Sequence, residues 1–365
     1  MDEREAYIAL NMMGKVGPVG VRSLVSALGS ARAVFESDQK ALLNAKGIGV
    51  GLSEAIMRQR DVVDWCGEIE RADSAGVRII TQIDEEYPKQ LLEIHDPPLA
   101  LYLRGNLESR DKHAIAIVGT RRATHYGMET AEKMAFQLAK TGFVIVSGLA
   151  RGIDTAAHRG ALKAKGRTLA VIGSALDCIY PPSNTELAQD ISQHGAVISE
   201  FPFGKQPDKT TFPMRNRIVS GLSMGVLVVE AGFKSGALIT AGQALEQGRS
   251  VFAIPGRIDS PASRGTLGLI KHGAVSVTGV DDIINEYEFL LPNAGCMSSQ
   301  EQVSGPQLSE KETCLLGFLG KGERDIDSLI RISGMKSSEV NAVLIGLEMK
   351  KMICMLPGRI VEAKR

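Results

Sequence analysis

The central part of this 365-residue sequence predicts a doubly wound α/β fold built on a parallel sheet. From about residue 112, short runs rich in Ile and Val alternate with segments of helical length. These runs are apolar on both faces, which is typical of strands buried between two layers of helices. Their alternation with helical segments of about 10–15 residues indicates βαβ units. We therefore expect a Rossmann-like core.

The predicted strands are AIAIVG, FVIVSG, TLAVIG, AVISE, GVLVVEA and SVFAIPG. Helices are predicted from about Met128 to Lys140, Thr155 to Lys165 and Leu238 to Gln247, and one more lies between TLAVIG and AVISE. Prolines at Tyr87-Pro88 and Asp96-Pro97-Pro98 indicate a connecting region before the first strand. We assign residues 76–291 to this extended core domain.

Residues 1–75 predict a separate domain of short helices interrupted by glycine. GKVGPVGVRSLVSAL and LLNAKGIGVGLSEAIMRQR each place a small apolar residue, Val19 and Ile48, between glycines just before a helix. This resembles the helix-hairpin-helix pattern, in which backbone N–H groups at the second helix can meet a phosphate. Such modules also serve as protein-contact domains, and both interpretations stay open.

Residues 307–365 predict a third domain, of three helices followed by a short apolar hairpin. That order is typical of a winged helix, and the Pro-, Ser- and Gly-bearing segment 292–306 before it has the composition of a linker. The domain lacks a basic recognition helix, which argues against a sequence-specific regulator that reads duplex DNA.

Charge is distributed unevenly along the chain, although its formal net charge is zero. Residues 1–111 carry a net charge of −5, residues 112–271 of +8 and residues 272–365 of −3. Because local potential sets the attraction to phosphates, the basic middle predicts an anionic ligand for the central domain. A chance excess of solvated Lys and Arg is the alternative.

Several classes of protein are disfavoured by composition. The start, MDEREAYIAL, has no basic stretch leading into an apolar run, so a cytoplasmic location is expected. Apolar runs are strand-sized, far short of the roughly 20 residues of a membrane span, and no membrane partner is expected. The cysteines form no CxxC pair, which disfavours disulfides and a thiolate metal site; they are Cys66, Cys178, Cys296, Cys314 and Cys354.

Glycines, hydroxyls and cations follow several of the predicted strands. In an open parallel sheet, ligands bind beyond the carboxyl ends of the strands, where glycine lets the backbone approach an anion closely. The predicted phosphate-binding residues are Gly119, Thr120, Arg121, Arg122, Ser147, Gly148, Lys234, Ser235 and Gly236. The first segment matches neither GxGxxG nor the P-loop pattern, so no nucleotide cofactor is expected.

A second basic cluster lies in DKTTFPMRNRIVSGLS. It contains Lys209, Arg215, Asn216 and Arg217, with Phe201, Phe203 and Phe212 nearby. Cations interleaved with aromatic rings suit single-stranded nucleic acid, because cations follow the backbone while bases stack on rings. Alternatively the phenylalanines belong to the core, and for Phe212 the two readings are equally favoured.

A catalytic reading of SGLARGIDTAAHRGAL is possible, because Asp154 and His158 are four residues apart on one predicted helix. No further ligand at metal spacing and no nucleophile beside His158 accompanies them, so structural roles are favoured. Asp177 and Glu200, near strand ends, are interpreted in the same way.

The residues of the central domain closely resemble the DNA-processing protein A (DprA, or Smf) family. The resemblance rests on IAIVGTRRATHYG, SGLARGIDTAAHRGAL, TLAVIGSALDCIYPPSN, GAVISEFPFG, FPMRNRIVSGLSMGVLVVEAGFKSGALITAGQALEQGR and VFAIPG, and covers roughly residues 113–275. The flanking regions resemble the family's optional N-terminal sterile-alpha-motif-like or helix-hairpin-helix domain and its C-terminal winged helix.

The resemblance implies a non-enzymatic protein that coats incoming single-stranded DNA in natural transformation and delivers it to the recombinase RecA. It also implies a homodimer formed through the Rossmann core. Family binding elements fall on Gly119-Thr120-Arg121, on Lys209, on Arg215-Asn216-Arg217 and on Lys234-Ser235-Gly236. The chain departs from the pattern at Leu267, where asparagine is expected, and at Pro182-Ser183, where a basic residue is frequent.

The main alternative is a nucleotide-processing enzyme related to the cytokinin-activating phosphoribohydrolases. Those enzymes carry a PGGxGTxxE motif after a comparable strand, and its glutamate acts on the glycosidic bond. The matching segment here, AGFKSGALITAG, has no such glutamate. Binding is therefore favoured over catalysis.

Overall fold

The structure, a computed structural model, describes residues 1–287, 309–319, 323–349, 352–356 and 360–363. The described residues fall into two compact units, one within 1–287 and one within 309–363. The predicted linker at 292–306 lies outside the described residues. No helix in the described ranges has both the length and the apolar content that crossing a membrane requires.

Six short helices form the N-terminal part of the first unit. They are α1 (Glu3–Met12), α2 (Pro18–Leu28), α3 (Ala31–Glu36), α4 (Gln39–Asn44), α5 (Val50–Gln59) and α6 (Trp65–Ser74). The glycine turns precede α2 and α5 as predicted, and Gly17 and Gly49 occupy the N-cap positions. Ile48 precedes its helix, whereas Val19 lies within the first turn of α2. Helices α1–α5 share a core that includes Leu10, Leu24 and Ile56, whereas α6 packs through Ala72 in a separate core.

A nine-stranded sheet forms the centre of the unit. Its strands are β1 (Arg78–Thr81), β2 (Ala100–Gly105), β3 (Ala114–Val118), β4 (Val144–Ser147), β5 (Thr168–Val171), β6 (Ala196–Ser199), β7 (Gly225–Val228), β8 (Ser250–Ala253) and β9 (Val275–Ser276). Their order is β1-β2-β6-β5-β4-β3-β7-β8-β9. Neighbours from β6 to β9 pair in parallel, while β2 pairs antiparallel with β1 and β6. The predicted doubly wound sheet is confirmed.

Helices cover both faces of the sheet. They are α7 (Lys89–Leu92), α8 (His125–Lys140), α9 (Ile153–Lys163), α10 (Thr185–His194), α11 (Thr211–Gly221), α12 (Gly236–Glu246), α13 (Arg264–Lys271) and α14 (Asp281–Glu286). Side chains of β3 alternate between two cores: Ala116 packs with residues of α11 and α12, and Ile117 with residues of α8 and α9. This burial on both faces explains why β3 is apolar throughout.

The pattern did not predict the helix α11 or the strands β1 and β2. The segment of α11 contains Pro213, which suggests a break. Pro213 is the third residue of the helix, however, where the backbone N–H has no intrahelical partner and proline is tolerated. Strands β1 and β2 flank the prolines of the expected connecting region, and they extend the sheet at its antiparallel edge.

The second unit contains three helices and a small antiparallel sheet. Its elements are α15 (Glu310–Leu319), β10 (Glu323–Asp325), α16 (Ile326–Ser333), α17 (Ser337–Met349), β11 (Ile353–Leu356) and β12 (Ile360–Ala363). β11 and β12 form the predicted hairpin, and the unpredicted β10 pairs with β12. Leu315, Leu329 and Leu344 are fully buried between these elements. The winged-helix expectation is confirmed.

Candidate nucleic-acid interface

The strand order reverses at β3, which has β4 on one side and β7 on the other. In open α/β sheets this reversal leaves a crevice outside the carboxyl ends of the two central strands. A cavity of about 430 Å³ lies there, and we call it the switch-point cavity. Its walls come from the loops after β3, β4 and β7, from α11 and from the start of α12. The switch-point cavity therefore lies at the edge of the sheet where the sequence predicts the site.

The loop after β3 is held close to neighbouring backbone. A Cβ on Gly119 would lie 2.5 Å from the Ile153 side chain and 2.9 Å from the Glu230 carbonyl oxygen, so only glycine fits there. The Thr120 N–H donates to the same Glu230 carbonyl over 2.8 Å. These contacts fix the backbone while the side chains of Arg121 and Arg122 remain exposed.

Glu230 also anchors the far end of this loop, a role that our reading of the sequence missed. Its buried carboxylate accepts hydrogen bonds from the Thr124 N–H over 2.9 Å and from the Thr124 hydroxyl over 2.5 Å. Thr124 in turn caps α8 by accepting from the Gly127 N–H. A carboxylate that ends the otherwise apolar run GVLVVEA was the available signal, because a charge is buried only with partners.

Phe212 of α11 lies in the wall of the cavity, beneath a cation. The guanidinium carbon of Arg121 is 4.5 Å from the centre of the Phe212 ring, within range of a cation–π interaction. The ring is partly exposed, whereas Phe201 is buried and Phe203 packs edge-on against Tyr102. Phe212 thus combines with a cation at the cavity, and the other two phenylalanines belong to the core.

Arg215 lies at the base of the cavity and is almost fully buried. Its guanidinium donates to the carbonyl oxygens of Gly148, over 2.5 Å, and Val171. Burial, opposed by the nearby Asp154 carboxylate, lowers the pKa of Arg215 to about 10, so the group stays cationic at neutral pH. A Cβ on Gly148 would lie 2.3 Å from this guanidinium, which explains the glycine.

Asn216 and the start of α12 close another side of the switch-point cavity. The Asn216 amide is 3.5 Å from the Gly236 carbonyl oxygen, and Ser235 caps α12 by accepting from the Ala237 N–H over 3.4 Å. Lys209 and Lys234 are exposed, one just before α11 and the other in the turn before α12. Arg121, Arg122 and the first turns of α11 and α12 thus line the cavity, an arrangement that attracts phosphate, while Lys209 and Lys234 are not among its lining residues.

Two predicted site residues are engaged elsewhere. Arg217 is two residues beyond Arg215 on α11, so it points to nearly the opposite side of the helix. It is buried in ion pairs with Glu200 at 2.6 Å and Asp96 at 2.8 Å. Ser147 is fully buried, and its hydroxyl donates to the Ile117 carbonyl over 2.6 Å. Both side chains support the fold around the cavity.

Asp154 and His158 occupy different surroundings despite their helical spacing. Asp154 reaches the switch-point cavity, and burial, partly offset by Arg215, raises its pKa. His158 is fully buried, with Nδ1 2.7 Å from the Thr168 hydroxyl, and burial lowers its pKa to about 3. His158 is therefore neutral and enclosed at physiological pH. Across the ranges that the structure describes, no group of three His, Cys, Asp or Glu residues is placed to hold a metal ion.

A smaller cavity of about 180 Å³ adjoins the first, and we call it the side cavity. Arg121 and Phe212 line both cavities and form the wall that they share. The side cavity also contains Arg151, from the loop after β4, and Tyr180, from the loop after β5. Neither residue was predicted, since the sequence pattern did not show that the two loops meet.

The structure describes both places at which the sequence departs from the family pattern. Thr266 is buried in α13, and its hydroxyl donates to the Ser263 carbonyl; the following residue is Leu267. Pro182 and Ser183 form a 3₁₀ turn directly after Tyr180 and Pro181 at the side cavity. The turn places an uncharged segment where a basic residue is frequent in the family.

Comparisons with known proteins agree with this architecture. Residues 78–288 match the family model of DNA recombination-mediator protein A, and residues 299–359 match the DprA winged helix domain. Protein Smf of Synechocystis is 32% identical over 98% of both chains. Protein Smf of Escherichia coli is 40% identical over 79% of this chain and 78% of its own.

Two solved structures are similar over large parts of the chain. DNA processing protein A of Streptococcus pneumoniae superposes with a TM-score of 0.70 at 35% identity, covering 78% of this chain and 99% of that one. A DNA processing protein A of Helicobacter pylori, described for its single-stranded DNA binding mode, gives a TM-score of 0.53 at 34% identity. It covers 58% of this chain and 96% of its own. The chain therefore belongs to the DNA recombination-mediator protein A family, whose members carry the names DprA and Smf.

Proposed function

We propose that this protein binds single-stranded DNA in the switch-point cavity and acts without catalysing a reaction on it. The observation that carries this proposal is the Arg121 guanidinium stacked over the Phe212 ring at a glycine-lined crevice. The cation provides a phosphate contact, and the ring edge offers an apolar surface to a base. The Helicobacter pylori relative, described for its single-stranded DNA binding mode, supports the same ligand class.

Electrostatics also favour an anionic strand over a neutral ligand. Arg121 and Arg122 line the cavity with exposed side chains, whereas Arg215, Arg217 and Arg167 are buried against protein acceptors. Lys209 and Lys234 are exposed in the segments just before α11 and α12. The basic excess of the middle segment therefore includes structural cations as well as cations available to a ligand. Of the exposed cations, Arg121 and Arg122 line the crevice.

The enzymatic alternative is less favoured by the side chains present. A phosphoribohydrolase-like reaction needs a carboxylate free to act on the glycosidic bond. Glu230, at the end of β7, is buried and accepts two hydrogen bonds from Thr124, and Asp154 is buried beside Arg215. We infer binding, and an assay of ribose-phosphate release from nucleoside monophosphates would reveal catalysis if this inference is wrong.

Family membership further supports two finer proposals. We propose that the bound strand is delivered to the recombinase RecA during natural transformation, in the cytoplasm, and that the protein works as a homodimer formed through its Rossmann core. Light scattering of the purified protein tests the dimer. A strand-exchange assay with RecA on DNA coated by a single-strand-binding protein tests delivery.

Binding is tested by fluorescence anisotropy with a labelled single-stranded oligonucleotide at several salt concentrations. Arg121→Ala should weaken binding to any sequence and reduce the slope of log K against log salt by about 0.7, the value for one phosphate contact. Arg159→Ala, an exposed arginine of α9 outside the lining of both cavities, serves as control. Preference for the matching duplex, or equal binding by Arg121→Ala, would contradict the proposal.

A further inference from the structure

The side cavity presents three arginines to one small volume. Arg121, Arg122 and Arg151 line its 180 Å³, and all three side chains are exposed. Among the described residues that form its lining, none is acidic. Like charges that face one partly enclosed space raise the local potential, and an anion entering that space relieves their repulsion. The charge of the residues that line the side cavity thus favours the binding of a phosphate.

Arg151 is held in place by an unusual loop. It lies between Leu149, with φ of 56°, and Gly152, with φ of 82°, both in the left-handed region. A Cβ on Gly152 would lie 2.4 Å from the Thr120 carbonyl oxygen, so the loop after β4 packs directly on the loop after β3. A non-glycine residue at positive φ costs free energy and persists only where the surroundings fix it. The loop therefore presents Arg151 from a defined backbone.

Tyr180 provides an aromatic surface in the side cavity. Its side chain is 45% exposed, and its ring centre lies 6.0 Å from that of Phe212, with an angle of 47° between the planes. A single strand that crosses the shared Arg121–Phe212 wall brings neighbouring nucleotides to the two cavities. The cations and rings of the two cavities thus offer contacts to both the phosphates and the bases of one strand.

We propose that Arg151 and Tyr180 form a second subsite, which binds the phosphate and the base of a nucleotide adjacent to the one in the switch-point cavity. This inference rests on the proposed function and adds to it. Arg151 contacts the phosphate through its planar guanidinium, and the Tyr180 ring packs against the base. The subsite lies beside Pro182-Ser183, so Arg151 supplies a cation where that turn has none.

Arg151→Ala and Tyr180→Ala should change DNA binding in different ways, because the first removes a charge and the second removes an aromatic ring. With a labelled 12-residue thymidine oligomer, Arg151→Ala should reduce the salt slope by about 0.7. Tyr180→Ala should weaken binding about 5- to 150-fold at every salt concentration, the equivalent of one base stack, and leave the slope unchanged. Tyr180→Phe, which keeps the ring, should bind like the parent protein.

Three controls separate failure of the subsite from failure of the proposed function. Arg159→Ala should have the parent slope, and Tyr180→Ala should lose little affinity for an oligomer of abasic residues. If Arg121→Ala lowers the slope while Arg151→Ala and Tyr180→Ala behave like the parent, the subsite is wrong and the proposed function stands. If Arg121→Ala also binds like the parent, the switch-point cavity itself is not the binding site.

Discussion

The guanidinium carbon of Arg121 lies 4.5 Å from the centre of the Phe212 ring, and the two residues come from chain segments about 90 positions apart. The ring orients the cation, and the cation covers one face of the ring. The pair therefore places a cation against an aromatic surface within one wall of the switch-point cavity.

Phe212→Ala should weaken single-strand binding by about 1–3 kcal/mol, because it removes a stacking surface and leaves Arg121 less well oriented. Anisotropy titration measures the change. Phe136→Ala is a matched control, since Phe136 is an exposed aromatic residue that lies 5.8 Å from the Lys140 ammonium on α8, outside both cavities. Equal losses in the two variants would show that Phe212 has no specific role.

Arg217→Met should destabilise the protein by about 3–5 kcal/mol, because it leaves the buried Glu200 carboxylate without its cation. Urea unfolding followed by circular dichroism measures the loss. Where Arg217→Met remains folded, its slope of log K for single-stranded DNA against log salt should equal that of the parent protein. Arg121→Ala, in contrast, should reduce this slope. A reduced slope with unchanged stability would place Arg217 in contact with DNA instead.

Glu230→Gln should loosen the loop that carries Arg121. The substitution replaces one acceptor oxygen by an NH₂ group and removes the charge, so Thr124 loses one of its two hydrogen bonds and the other is no longer charge-assisted. Hydrogen exchange at the amides of Thr120 and Thr124 should become faster, and single-strand affinity should fall by less than in Arg121→Ala. Unchanged exchange at both amides would show that the carboxylate does not hold the loop.

Acid should destabilise the protein through His158. Its folded pKa of about 3 lies below the unfolded value of about 6.5, so the unfolded chain binds the proton more readily between these values. The stability that this neutral histidine provides is present above pH 6.5 and is lost as the pH falls toward 3. The loss is at most about 1.4 kcal/mol per pH unit.

His158→Gln should flatten the fall in urea midpoint between pH 6.5 and 4.5, whatever it does to stability at neutral pH. His194→Gln is the control, because it replaces a histidine that is exposed instead of buried. This variant should show the same dependence of the urea midpoint on pH as the parent protein. A parent-like profile in His158→Gln would mean that other groups cause the acid sensitivity.

Much of this structure follows from local patterns in the sequence. The parallel strands are apolar on both faces, and the helices between them have the expected length, so the sheet and the edge that carries the switch-point cavity were predictable. The helix α11 was not, because Pro213 resembles a helix breaker until its position in the first turn is known.

The detailed assignment of the site was less predictable, because a cation's role depends on what surrounds it. Arg215 and Arg217 are two residues apart and look alike in the sequence. One lies beneath the cavity on backbone carbonyls, and the other pairs with Glu200 and Asp96. Likewise, only tertiary packing brings Arg151 and Tyr180 to one cavity.

The reversal of strand order at β3 divides the sheet into one half that extends through β4 and another that extends through β7. Arg121 and Gly148 belong to loops of the first half, and Ser235 and Gly236 to the loop of the second. Single-stranded DNA bound across the crevice would contact both halves of the sheet at once. Its binding free energy therefore stabilises the protein only while the two halves remain associated. Bound DNA should therefore raise the melting temperature of the whole first unit, in which both halves of the sheet are joined through β3.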